Sequence, residues 1–92
     1  MSKKPPTVKF DSIDGARYGY FTYDRKHWRI EQHAETQFYE ARVRRMKHDD
    51  KTVVRHTKFV QRTTDNNPLW FVASVVPAFI DWYANYGGKA NA

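Results

Sequence analysis

His48, Asp49 and Asp50 stand in a row, and three further histidines, His27, His33 and His56, lie elsewhere in the chain. Imidazole and carboxylate groups ligate divalent ions, so this set is the first place to look for a metal. Its spacing matches no ligand motif, and adjacent residues on a strand point to opposite faces of a sheet. A turn rich in Asp explains the run more simply. The chain has no cysteine, which removes thiolate zinc sites, thiol nucleophiles and disulfides together. Tyr, His, Arg and Lys on one face could cleave RNA by acid–base chemistry. However, no Ser stands with a recognisable base, and no glycine-rich phosphate loop is present. The expectation is a non-enzyme without metal or cofactor.

Charge placement is more informative. The formal net charge is +6, and residues 41–62 hold eight basic side chains against Asp49 and Asp50, 8 − 2 = +6. The rest of the chain balances, so the whole excess sits on one element and makes a local positive field. With Tyr18 and Tyr20 on a neighbouring strand, the pattern fits nucleic-acid binding, rings stacking unpaired bases and cations meeting phosphates. The candidate contact residues are Tyr18, Tyr20, Arg29, Arg42, Arg44, Arg55, Lys58 and Arg62. The same hairpin could instead act as a ribbon on a duplex. A solvated basic edge that resists aggregation is the plainer explanation. Single strand against duplex, and DNA against RNA, stay open.

The elements that position these residues are mostly strands. Thr7–Phe10 reads as a short first strand and Asp14–Gly15 as a turn. Arg17–Tyr23 and His27–Gln32 read as a hairpin with its loop centred on Arg25–Lys26, pairing Tyr23 with Trp28 and Phe21 with Ile30. Phe21, Tyr23, Trp28 and Ile30 then share a core face, opposite Tyr18, Tyr20, Thr22, His27, Arg29 and Glu31. A second hairpin, Phe38–Lys47 with Lys51–Arg62, turns at His48–Asp49–Asp50. A three-residue loop puts Tyr39, Ala41, Val43, Val53, Thr57 and Phe59 inside, and turns Arg55 inward as well. Arg42, Arg44, His56, Lys58 and Arg62 then lie outside, with Val54 and Val60 as apolar intruders.

Asn67–Pro68 reads as N-cap and first residue of an apolar helix reaching about Tyr86, kinked near Pro77 and ended by Gly87–Gly88. Two apolar stripes run along it. Leu69, Val72, Val76, Ile80 and Tyr83 are assigned to the sheet. Phe71, Val75, Phe79 and Trp82 are assigned to a second copy of the chain, giving a homodimer.

The expected architecture is α+β: a curved antiparallel sheet of four to five strands, with one kinked C-terminal helix packed on one face. Residues 1–6 read as a disordered basic tail, 7–88 as a single domain and 89–92 as a frayed end. Strands first and a bent helix last resembles the layout of transcription-coactivator-type and whirly single-strand binders. That layout implies a DNA-contacting sheet and an oligomer built by the helix; it transfers no residue. With no cysteine, no secretory signal and no apolar run long enough to cross a bilayer, the expectation is a cytoplasmic protein. The runner-up function is a protein-interaction module or inhibitor that docks on a larger partner.

Overall fold

The structure, a computed structural model, describes residues 6–87. The tail at residues 1–5, the helix end at Gly88 and the terminus at residues 89–92 lie outside the described residues. Five strands, β1 (Lys9–Ile13), β2 (Ala16–Tyr23), β3 (Lys26–Ala34), β4 (Tyr39–Met46) and β5 (Val53–Thr63), form one open antiparallel sheet in chain order. A single helix follows and covers one face, making an α+β fold. No described helix is long and apolar enough to cross a membrane.

Two tight turns set the first registers. Asp14 and Gly15 join β1 to β2, and Asp24 and Arg25 join β2 to β3. All four have positive φ, at 52°, 81°, 55° and 60°, the backbone of a type I′ hairpin turn. The second turn therefore lies one residue earlier than expected, and Phe21 pairs with Trp28 and Tyr23 with Lys26. The pairing shift is even, so every side chain keeps the face assigned from alternation. Arg25 is a poor residue for its conformation. Arg25→Gly creates the Asp-Gly pair that such turns favour and is expected to raise stability by about 0.5–1 kcal/mol, read by urea denaturation.

The β4–β5 hairpin departs further from expectation. Its connection is longer: Lys47 N donates to Thr52 O at 2.8 Å, and Asp49 Oδ1 accepts from the Lys51 and Thr52 amides. Two irregularities follow in β5, opposite Arg45/Met46 and opposite Arg42/Arg44. The first pairs Val53 with Met46 and corrects its inward assignment, because an extra residue on the bulged strand turns those after it to the other side. The second leaves faces unchanged, since it adds an even number. At that bulge Thr57 Oγ1 donates to Val43 O at 2.7 Å, occupying a carbonyl that the ladder leaves open.

Asn67 Oδ1 accepts from the Leu69 amide at 3.0 Å, the cap expected there, and Pro68–Leu69 turn into the helix. The helix begins with wide i→i+5 turns over Phe71–Val75, continues as α1 (Val76–Trp82) and widens again over Tyr83–Gly87. The Val76 amide donates to Phe71 O just before Pro77, so the missing proline N–H is met by a change of hydrogen-bond pattern. The wide turns bring residues four apart onto one side. Phe71, Val75, Phe79 and Tyr83 are buried against the sheet, while Leu69 and Val72 are exposed. This corrects part of the stripe assignment. Val76 and Tyr83 are buried as assigned, but Phe71, Val75 and Phe79 are also core, fully covered within one chain, and Trp82 is half-buried beside Phe59 and Phe79.

The core joins Phe21, Trp28, Ile30, Ala41, Val43 and Phe59 of the sheet to those helix residues. Phe71 can lie this low because β2 has Gly19 beneath it. A Cβ there would meet Phe71 Cδ2 at 2.8 Å and Val8 Cγ1 at 2.9 Å. Polar ties fix the helix along its length: Trp70 Nε1 donates to Gln32 Oε1 at 2.9 Å, and Tyr83 Oη to Asp24 Oδ2 at 2.7 Å. The Tyr83 hydroxyl, with Lys26, holds the Asp24 carboxyl below its ordinary range.

Candidate nucleic-acid interface

The residues assigned to nucleic acid fall into two places. Tyr18, Tyr20, Arg29, Arg42, Arg44 and Arg62 share the sheet face away from the helix. Their order follows from the pairings Tyr20↔Arg29, Arg29↔Arg44, Arg42↔Val60 and Glu40↔Arg62. Arg55 pairs with Arg45 on the helix side, as the inward register implied, and Lys58 borders the same region.

The outer face is less available than its cations imply. Glu31 and Glu40, both buried, stand among the arginines. Arg29 Nε donates to Glu31 Oε2 at 3.0 Å, and Arg44 Nε lies 3.3 Å from Glu31 Oε1. Arg42 Nε donates to Glu40 Oε1 at 2.7 Å and Arg62 Nε to Glu40 Oε2 at 3.1 Å. Two carboxylates thus cancel half the charge of four arginines. Burial alone would raise the Glu31 pKa, but the hydrogen bond and charge of Arg29, with Arg44 and His33, outweigh it and hold the carboxyl below the usual range. The Arg42 hydrogen bond lowers Glu40 against its own burial, and Arg62 adds to it. The Arg29 guanidinium also lies over the Tyr18 ring, 5.1 Å from its centroid, so that ring is engaged within the chain.

A count along the chain misses this because Glu31 lies outside the basic segment and Glu40 just before it. The sheet brings both against it. The i, i+2 spacings Arg29–Glu31 and Glu40–Arg42 on single strands were the available signal. The β3–β4 register, which sets Arg29 opposite Arg44, adds the second partner of Glu31.

Most of the cations that remain lie on the β4–β5 hairpin; Lys9, Arg17 and Arg25 are the others among the described residues. Among the described residues, Arg45, Lys47, Lys51, Arg55 and Lys58 form no ion pair, and Lys47, Lys51, Arg55 and Lys58 are exposed. Arg45, Lys47 and Lys51 are additions to the residues singled out from sequence. The two acids of the hairpin's loop are turned to local work: Asp49 binds the loop backbone, and Asp50 Oδ1 lies 3.2 Å from His27 Nδ1. Among the described residues, no three His or acidic side chains gather to hold a metal. No family model, curated protein or solved structure matches this chain. The site therefore rests on its own geometry: a basic hairpin forming one edge of the sheet, with rings of the helix beside its inner side.

Proposed function

We propose that this chain is a small nucleic-acid-binding protein whose contact is the β4–β5 hairpin. The observation that carries the proposal is the set of five hairpin cations with no carboxylate partner among the described residues. An unpaired Lys or Arg gains a phosphate without surrendering an internal ion pair, whereas Arg29 or Arg44 must first leave Glu31. The tyrosine-bearing outer face is thus the secondary contact. Arg62, the most exposed of its arginines, is best placed to join in.

Binding of a labelled oligonucleotide should weaken steeply as salt rises. Lys47→Gln with Lys51→Gln should lower affinity for all sequences alike and flatten the log–log salt slope by about 2, roughly one for each phosphate no longer neutralised. Absence of binding at low salt to single-stranded DNA, duplex DNA and RNA would sink the proposal.

One observation favours a docking module as the second reading. Leu69 and Val72 are exposed on the helix, and Phe10 and Leu69 line one shallow groove. A pull-down before and after nuclease treatment separates the two readings, and the solution mass of the purified chain reports whether a second copy covers that patch.

A further inference from the structure

Between the last turns of the helix and strands β3 to β5 lies a groove of about 400 Å³. Its cations, Lys26, Arg45, Arg55 and Lys58, come from the strands, Lys26 already paired with Asp24, and Trp82 and Tyr86 come from the helix. Buried Trp28 and Tyr83 also line it. The polar atoms of that buried pair are already used: Trp28 Nε1 donates to Tyr23 O at 2.9 Å, and Tyr83 Oη donates to Asp24. What they offer the groove is ring surface.

Arg45 and Arg55 are direct cross-strand partners. Like charges so placed destabilise a sheet. Elsewhere the protein solves this problem with a carboxylate between arginines of different strands. Glu31 serves the direct partners Arg29 and Arg44, and Glu40 serves Arg42 and Arg62, which sit diagonally. Arg45 and Arg55 have the same arrangement without the acid among the described residues. The missing partner is an anion, and the rings beside it call for a flat apolar group on that anion.

We propose that the groove takes one unpaired nucleotide of a single strand, its phosphate bridging Arg45 and Arg55 and its base stacked at Trp82 and Tyr86. The volume sits near the lower end of small-ligand sites, roughly 300–1,000 Å³, which admits one nucleotide and no duplex. A duplex also keeps the faces of its bases inside the stack, where Trp82 and Tyr86 have nothing to meet. This inference rests on the nucleic-acid reading above and specifies its substrate and its pocket. It places the selective contact on the helix-bearing side of the sheet, away from Tyr18 and Tyr20.

The test uses the full chain with a fluorescein-labelled oligothymidine and a labelled duplex of equal length. The single strand should bind about tenfold or more tightly than the duplex. Tyr86→Ala should weaken single-strand binding about fivefold or more, as expected for one stacked base, with duplex binding unchanged. Tyr86 is 64% exposed, so this variant leaves the core intact; Trp82→Ala, which touches Phe59 and Phe79, is read only beside a melting curve. Arg45→Gln with Arg55→Gln also removes two of the hairpin's general phosphate contacts, so it should weaken both nucleic acids, the single strand by the larger factor. Equal binding of both nucleic acids, or single-strand binding indifferent to Tyr86 and the arginine pair, overturns the groove and leaves the hairpin proposal standing. No binding by either nucleic acid removes both.

Discussion

Phe79→Ala is expected to cost about 3–5 kcal/mol of stability, as large aromatic truncations in a closed core do. Phe79 is fully buried, and its ring centroid lies 4.8 Å from that of Trp28, 5.7 Å from Phe21 and 5.5 Å from Phe59. Three of the five strands therefore meet the helix through this ring, and Trp82 and Tyr83 close it from the helix itself. The rings around the void are held by further contacts: Trp28 by its bond to Tyr23 O, Tyr83 by its bond to Asp24. They cannot collapse inward without giving those up, so the cost should fall in the upper part of the range. For a chain of this size each kcal/mol moves the melting temperature by about 4–8 °C. Thermal unfolding followed by circular dichroism reads the change. A drop below about 1 kcal/mol would mean that the helix is not seated on the sheet in this way.

Glu31→Gln is expected to cost about 2–4 kcal/mol at neutral pH, because it leaves Arg29 and Arg44 against a sheet surface with no counter-charge. The volume is unchanged, so the effect is electrostatic. Its pH dependence has a definite sign. The Glu31 pKa is lower in the folded chain than in the unfolded one, so its contribution is fully present above the unfolded value, about 4.3. It disappears as pH falls through the lower folded value. Urea unfolding at neutral and at acid pH should therefore show the difference between wild type and Glu31→Gln shrinking towards zero in acid. A difference that does not change with pH would mean that Glu31 acts by packing alone. Replacing Glu31, Arg29 and Arg44 together with apolar residues of similar volume should cost far less than the single change, since no charge is then left uncompensated.

Alternation along β2 and β3 was legible from the residues alone, because Phe21, Tyr23, Trp28 and Ile30 are separated by polar residues at a strict period of two. The fold class follows from it. Register was less legible. The turn at Asp24–Arg25 contains no glycine, so nothing in composition separates it from one centred a residue later. The β5 bulges leave no compositional mark either, so alternation alone puts Val53 on the wrong side. The helix stripes are only partly legible for a different reason. A period of 3.6 places Val76 and Tyr83 inside correctly but misplaces Phe71, Val75 and Phe79, because the turns widen before Pro77. Of the candidate site, the basic hairpin was visible as a charge run. Of the neutralised arginines, Arg29 and Arg42 meet their carboxylates at i, i+2 on one strand, a spacing visible in the sequence. Arg44 and Arg62 meet theirs across strands, which is a property of register. The groove was hidden for the same reason, since its lining comes from β3, β4, β5 and the helix.

The strand order 1-2-3-4-5 also bears on how the molecule reaches this state. Each strand pairs only with its chain neighbours, so the sheet assembles by closing short loops, which is fast and entropically cheap. The helix is the exception. Its bonds to the sheet span 38 residues at Trp70–Gln32 and 59 at Tyr83–Asp24. The sheet can therefore close through local contacts, with Phe21, Trp28, Ile30 and Val43 on one side, before the helix that shields them has docked. For that interval the sheet has an uncovered apolar face and two open edges, the state in which aggregation competes with folding.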